Sequence, residues 1–162
     1  MSVKHLLIVE PDLAFRTFLQ RMVEGRAAVE TAADFPTARA RLFATLLDLV
    51  VTNLRLGAFN GLHLAYLVAS TGSPPRVVVY TNRFDPLLAR EGQRAGAFCE
   101  LQQRMPYALP SYLDANLPPL DRRAPLTPDR RSSYRGGRRA ADIAGLGRDN
   151  IVGRQGGDRY GS

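Results

Sequence analysis

Asp48-Leu-Val-Val-Thr-Asn53-Leu-Arg-Leu-Gly57-Ala-Phe-Asn60-Gly61 is the stretch whose reading decides the fold. Asp48 to Asn53 is a short apolar run closed by a polar residue, the pattern of a buried strand that delivers one side chain to a surface. Gly57 and Asn60-Gly61 are turn formers, and an apolar helical pattern resumes over Leu62–Val68. Strand, glycine-containing loop and helix in this order put a site at the carboxyl end of a parallel strand. The residue in the key position is an amide, Asn53, and not an acid.

Outward from this stretch the same alternation repeats. Upstream, Val3–Val9 reads as a strand buried on both faces, followed by Glu10-Pro11-Asp12. Asp12 suits an N-cap, and Phe15, Phe18, Leu19, Met22 and Val23 follow at helical spacing until Gly25. Ala28–Ala32 is a weaker strand, and Phe35–Ala44 a helix with Pro36 in its tolerant first turn. Downstream, Ser70–Pro75 is a turn and Arg76–Thr81 the clearest strand in the chain. A helix over Pro86–Arg94 is closed by Gly96. A strand over Ala97–Leu101 and a helix over Tyr107–Asn116, with Pro110 near its start, complete the series. Five strand–helix units predict an α/β fold of the flavodoxin-like, doubly wound (βα)5 type, a parallel five-stranded sheet with right-handed crossovers.

The chain has 162 residues, 45% of them apolar, which accommodates one domain (1–117) with a real core and an extension (118–162). The net charge of +7 is uneven: net +2 over 1–117 and +5 over 118–162, where all ten bases are arginine. Leu-Pro-Pro-Leu, Ala-Pro-Leu-Thr-Pro-Asp and the Arg/Gly-rich end carry no sustained period, so the extension is expected to be disordered. One cysteine, Cys99, excludes an intrachain disulfide and argues against a cysteine zinc site. No apolar run is long enough to span a bilayer, and a cytoplasmic protein without a membrane role is the default expectation. His5 and His63 lack metal spacing. A phosphate-cradling Gly-rich loop and a nucleophile-elbow serine are both missing, so an enzyme is not expected.

Residues 3–117 resemble a response-regulator receiver domain. The resemblance rests on Glu10-Pro11-Asp12 after the first strand, Asn53 and its loop to Gly61, Thr81 at the end of the fourth strand, and Gly96-Ala97 before the fifth. In the family these positions carry a pair of acids, a phosphorylated aspartate, a Thr/Ser and, later, a lysine, which falls here at Gln103. The resemblance implies phosphoryl transfer to a carboxylate with Mg²⁺ held by the acids, and Lys and Thr stabilising the product oxygens. Asn53 is a very poor nucleophile toward phosphorus, Gln103 brings no charge, and Pro11 stands where the second acid would be. Losing such groups removes several kcal/mol of electrostatic stabilisation. A degenerate receiver is therefore expected, with no catalytic residues and no cofactor beyond weak Mg²⁺.

The paired loss is coherent, because a lysine facing an amide would be a buried unpaired charge. Asn53, Gln103 and Thr81 are expected to hydrogen-bond among themselves and hold one state. The family's aromatic switch position, three before the lysine, falls at Glu100. Plainer readings stand beside these. Asn53 could be an ordinary strand-end amide of an unrelated α/β domain. Glu10 and Asp12 could be exposed acids or a weak acidic pocket, and Thr81 a capping hydroxyl. Phosphorelay through Asp48 is disfavoured, since Asp48 begins its strand.

The expected role is phosphorylation-independent contact with another signalling protein, a histidine kinase or an output protein, or with a second copy. The resemblance implies a docking face of fourth helix, fifth strand and fifth helix, with Leu87, Arg90, Glu91, Arg94, Tyr107 and Tyr112 on it. The competing class is nucleic-acid binding through Arg130, Arg131, Tyr134, Arg135, Arg138 and Arg139, since arginine grips phosphate bidentately and stacks on bases. Five acids dilute that tail, and a solubilising extension is its plainer reading.

Overall fold

The structure is a computed structural model that describes residues 3–115. The arginine-rich extension and the residues proposed there lie outside the described residues. Five parallel strands form one sheet: β1 (Lys4–Val9), β2 (Ala27–Ala32), β3 (Leu49–Asn53), β6 (Arg76–Thr81) and β7 (Ala97–Leu101), in the order β2-β1-β3-β6-β7. This is the doubly wound arrangement expected. The order reverses between β1 and β3, and the crevice at such a reversal is where open α/β sheets carry their sites.

The helices are α1 (Leu13–Met22), α2 (Phe35–Ala44), α3 (Gly61–Ala69), α4 (Pro86–Arg94) and α5 (Met105–Asp114). Side chains alternate across a strand, so each strand feeds both layers. Leu6, Ile8, Leu49, Val51, Val78 and Tyr80 pack with Leu19 of α1 and with Met105, Leu109 and Leu113 of α5. Leu7, Val9, Val50, Val77 and Val79 pack on the other face with Ala38 of α2 and Leu64, Ala65 and Val68 of α3. All these side chains are buried, which explains why the strands read as continuous apolar runs.

Polar caps set the helix starts. Asp12, Asp34 and Asp85 accept from the backbone N–H groups of Phe15, Thr37 and Leu87. At α3, Asn60 accepts from His63 N–H while His63 Nδ1 accepts from Asn60 N–H, a reciprocal capping box that gives His63 a structural task. Two differences from the expected elements stand out. The loop after Asn53 contains a small hairpin, β4 (Arg55–Leu56) and β5 (Phe59–Asn60), turned at Gly57 with φ 71°. The last helix starts earlier than expected, at Met105, so Pro110 lies inside it. Proline cannot donate to the helix ladder, and α5 is held instead by Met105, Leu109 and Leu113, which sink into the core.

Candidate functional site

Strand parity assembles the site. Leu6, Ile8 and Glu10 share one face; Leu49, Val51 and Asn53 continue it on β3, and Val78 and Tyr80 on β6. Asn53 lies level with Tyr80 in the β3–β6 register. At the carboxyl edge, Glu10, Asn53 and Tyr80 therefore converge beneath α1.

The centre is the Glu10 carboxylate, only 2% exposed. Its Oε2 accepts from Tyr80 Oη at 2.5 Å and from Asn53 Nδ2 at 2.9 Å; its Oε1 accepts from Asp12 N–H at 2.8 Å. Asn53 Oδ1 accepts from Arg55 N–H at 2.9 Å, so the amide is engaged at both ends. Arg16 donates to the Glu10 carbonyl. Tyr80 is fully buried, its ring set edge-on to Phe15 at 5.9 Å between centroids. Burial, and then the bond to Glu10, push the Tyr80 phenol above its ordinary range, which keeps it a proton donor. A buried carboxylate is tolerated when its lone pairs meet donors, and three meet them here.

The structure corrects several sequence expectations. Glu10 is not an exposed strand-end acid. Asp12 is exposed, and its Oδ1 caps α1. Asn53 bonds to Glu10 and to backbone, not to Gln103 or Thr81. Gln103 lies two residues past the end of β7, is exposed, and lines a groove beside α5 with Arg104 and Tyr107. The residue level with Thr81 is Leu101, because β7 begins directly at Ala97. Phe98, half-buried, lies 5.9 Å from the Tyr112 ring, and Glu100 accepts from the Tyr112 hydroxyl. Thr81 caps nothing: α4 is capped by Asp85, and Thr81 faces a cleft with Asn53. Asp48 accepts from His5 N–H at the opposite end of the sheet.

Tyr80 is the functional-site residue that sequence reading passed over, although counting by twos along Arg76–Thr81 puts it on the Glu10 face. Gly61 is a second. A Cβ at Gly61 would stand 2.6 Å from the Asn53 carbonyl oxygen, so the start of α3 rests on the backbone of the site.

The divalent cation implied by the resemblance does not fit these residues. A hard cation needs converging acceptors. Here three donors, Tyr80 O–H, Asn53 N–H and Asp12 N–H, occupy three of the roughly four lone-pair sites of the Glu10 carboxylate. Among the described residues no group of three or more His, Cys, Asp or Glu side chains is placed to hold a metal ion.

No family model matches the chain, and no curated protein matches it. Solved structures do share its fold. The chemotaxis response regulator CheY4 of Vibrio cholerae is 18% identical, with a TM-score of 0.60 over 68% of this chain and 98% of that one. A CheY-like receiver domain protein from Methanospirillum hungatei gives 20%, 0.61, 70% and 95% for the same quantities. The receiver domain of the putative response regulator NarL from Mycobacterium tuberculosis gives 18%, 0.61, 72% and 100%. The chain thus has the fold of response-regulator receiver domains. Among the described residues no helix is long and apolar enough to cross a membrane.

Proposed function

We propose that this chain is a receiver-fold signalling module that acts by protein–protein contact without phosphoryl transfer. The observation that carries the reading is the closed Glu10–Tyr80–Asn53 network. The residue at the end of β3 is an amide whose N–H is spent on Glu10, and the acid that would gather a cation already accepts from three donors. A phosphoryl group arriving at this edge meets an amide in place of a nucleophilic carboxylate, beside an acid whose oxygens already accept three hydrogen bonds. Receivers of known structure are named as parts of chemotaxis and response-regulator systems, which supports a signalling role.

The surface offered for contact is α4, β7 and α5. Leu87 and Tyr107 are 71% and 77% exposed, and Phe84, just before α4, is 68% exposed. Large apolar groups exposed to this degree are candidate contact residues. Charge frames them: Arg94 pairs with Glu91 at 2.6 Å, and Arg90 is exposed. Tyr112 is half-buried against Glu100, so it supports the face more than it presents one. Aromatic anchors with an arginine rim are the usual composition of a contact hot spot.

Two measurements test the reading. Incubation with acetyl phosphate and Mg²⁺, followed by intact-mass analysis, is expected to give no phosphoryl adduct; an adduct mapped to the Asn53 loop defeats it. Partner capture by the full chain should be lost on Leu87→Asp with Tyr107→Asp, while Arg39→Gln on α2 retains it. If capture instead persists in that double variant and disappears with nuclease, the arginine-rich extension is the working part.

A further inference from the structure

Three cations from separate parts of the chain hold the end of α5. Lys4 of β1 donates to the Leu113 carbonyl, Arg76 of β6 donates to the Ala115 carbonyl at 2.5 Å, and Arg26 pairs with Asp114. The last carbonyls of a helix have no partner within it and carry partial negative charge, so cations placed there stabilise it. The chain therefore leaves the domain from a fixed point. Ala115 leaves with φ −67° and ψ 127°, close to polyproline II backbone.

That exit opens onto a groove of about 710 Å³ that follows α5 from Ala115 back to Arg104, with Glu100 of β7 on its flank. Helical spacing puts Tyr107 and Tyr112 about 140° apart around α5, with Ala108, Ser111 and Ala115 between them. Tyr107 is exposed, and Tyr112 is braced by the Phe98 ring and by a hydroxyl bond to Glu100. Short side chains between two tyrosine rings make an aromatic-walled slot, the kind of surface on which extended proline-rich segments dock.

The chain that continues from Ala115 is such a segment: Asn116-Leu117-Pro118-Pro119-Leu120-Asp121-Arg122. Adjacent prolines fix φ and exclude helix from the residue before each of them, so this sequence favours polyproline II and loses little entropy on docking. Asn116 is a residue type suited to reversing the chain. Length agrees. From Ala115 back to Arg104 the helix rises about 17 Å, and Leu117–Arg122 in polyproline II covers about 19 Å. Charge agrees too, because a reversed segment brings Asp121 and Arg122 to the end where Arg104 and Glu100 stand 3.7 Å apart.

We propose that Leu117–Arg122 folds back along α5 and occupies this groove in the same molecule, against Tyr107 and Tyr112. The segment then covers the α5 part of the α4–β7–α5 face, and a partner reaches that part only by competing. This consequence rests on the contact reading of the face; the docking itself does not. A tether this short supplies an effective concentration on the order of 1 mM. A segment whose free-peptide Kd is about 1 mM is then docked about half the time.

The test is isotope-labelled NMR of the full chain, reading cross-peaks from the Tyr107 and Tyr112 rings to the Leu117 and Leu120 methyl groups. Two substitutions approach from opposite sides: Pro118→Gly with Pro119→Gly loosens the segment, and Tyr107→Ala removes one wall. The double glycine variant should lose the cross-peaks to both rings, and Tyr107→Ala those to Tyr112. Both should move the Ser111 and Ala115 amide signals, whereas Arg39→Gln changes neither readout. Tyr107 is exposed and both prolines follow the last described residue, so a dispersed spectrum is expected for each variant. Cross-peaks that survive dilution, and that are missing between labelled and unlabelled copies in a mixed sample, support docking within one molecule. Three results overturn it: no cross-peaks from either ring to the segment, cross-peaks only between copies, which give the groove to a second molecule, or cross-peaks unchanged in the double glycine variant. Failure to capture any partner leaves these cross-peaks in place, and their absence leaves partner capture intact, so the two readings fail separately.

Discussion

Restoring an acid at the end of β3 is the most direct challenge to the reading of the Glu10 network. In Asn53→Asp the Nδ2 donor, 2.9 Å from Glu10 Oε2, becomes a carboxylate oxygen. One stabilising bond to a charged acceptor is lost, worth about 1.5–3 kcal/mol. Two like charges about 4 Å apart also repel by about 4 kcal/mol at an effective dielectric of 20. The two costs are not additive, because the pair can take up a proton. A net loss of about 2–4 kcal/mol at pH 7 is expected. The sign with pH follows: the folded state raises the affinity of the new pair for a proton, so the penalty is largest at neutral pH and shrinks as pH falls toward the ordinary carboxylate range, about 4. Urea denaturation in EDTA at pH 7 and pH 5 reads both effects, with the midpoint shifting at constant m. Mg²⁺ is not expected to restore the loss, since Tyr80 O–H and Asp12 N–H still hold Glu10. A variant as stable as the parent at pH 7, or one fully restored by Mg²⁺, refutes the argument that this edge is built around donors.

Three other outcomes follow from the same geometry. Tyr80→Phe removes the phenol donor from a buried carboxylate and should cost about 1.5–3 kcal/mol in urea denaturation, with near-ultraviolet dichroism otherwise retained. Gly61→Ala places a Cβ 2.6 Å from the Asn53 carbonyl oxygen; backbone there cannot rotate aside, so about 1–3 kcal/mol is lost, and amide shifts should spread through Thr52–Arg55. The fold should also weaken in alkali. Burial, then Glu100, pushes the Tyr112 phenol up from 10.0 to about 12, and Tyr80 is raised as well. Neutral phenols are favoured in the fold, so that stability is complete below about pH 10 and is lost as pH rises through 12; a thermal midpoint that stays level from pH 9 to beyond 12 contradicts this.

Much of the fold was legible because strand runs and caps are local. Arg76–Thr81 and Ala97–Leu101 begin and end where the apolar pattern says, and the central position of β3 followed from its unbroken burial. What was not legible depended on register. The expectation for Gln103 rests on counting from Gly96-Ala97 and not on register: the residue level with Thr81 is Leu101, and Gln103 lies two residues beyond the end of β7. Glu10 looked exposed because a glutamate beside proline at a strand end usually is. Only the pairing of Asn53 with Tyr80 across β3 and β6 shows that a phenol reaches it from the core. Arg55 and Arg83, which line the cleft beside Asn53 and Thr81, are 28 positions apart in sequence, and no local pattern joins them. The hairpin that orients Arg55 was hidden in a loop reading, although Gly57 with its positive φ marks the turn.

The network also bears on whether such a domain switches. A switch needs an element with two arrangements, and a ligand that prefers one of them. Moving a population from 1:99 to 99:1 takes about 5.5 kcal/mol of differential binding. In this chain the element that would have to move is tied to three others: Tyr80 from β6, Asn53 from β3 and the Asp12 N–H at the start of α1 all converge on Glu10. Freeing the carboxylate from two of these donors already costs about 3–6 kcal/mol, before any ligand preference is expressed. If the proposed α4–β7–α5 face docks a partner, that partner meets one persistent shape, and control then rests on competition for that face and on the abundance of the chain, not on a conformational switch.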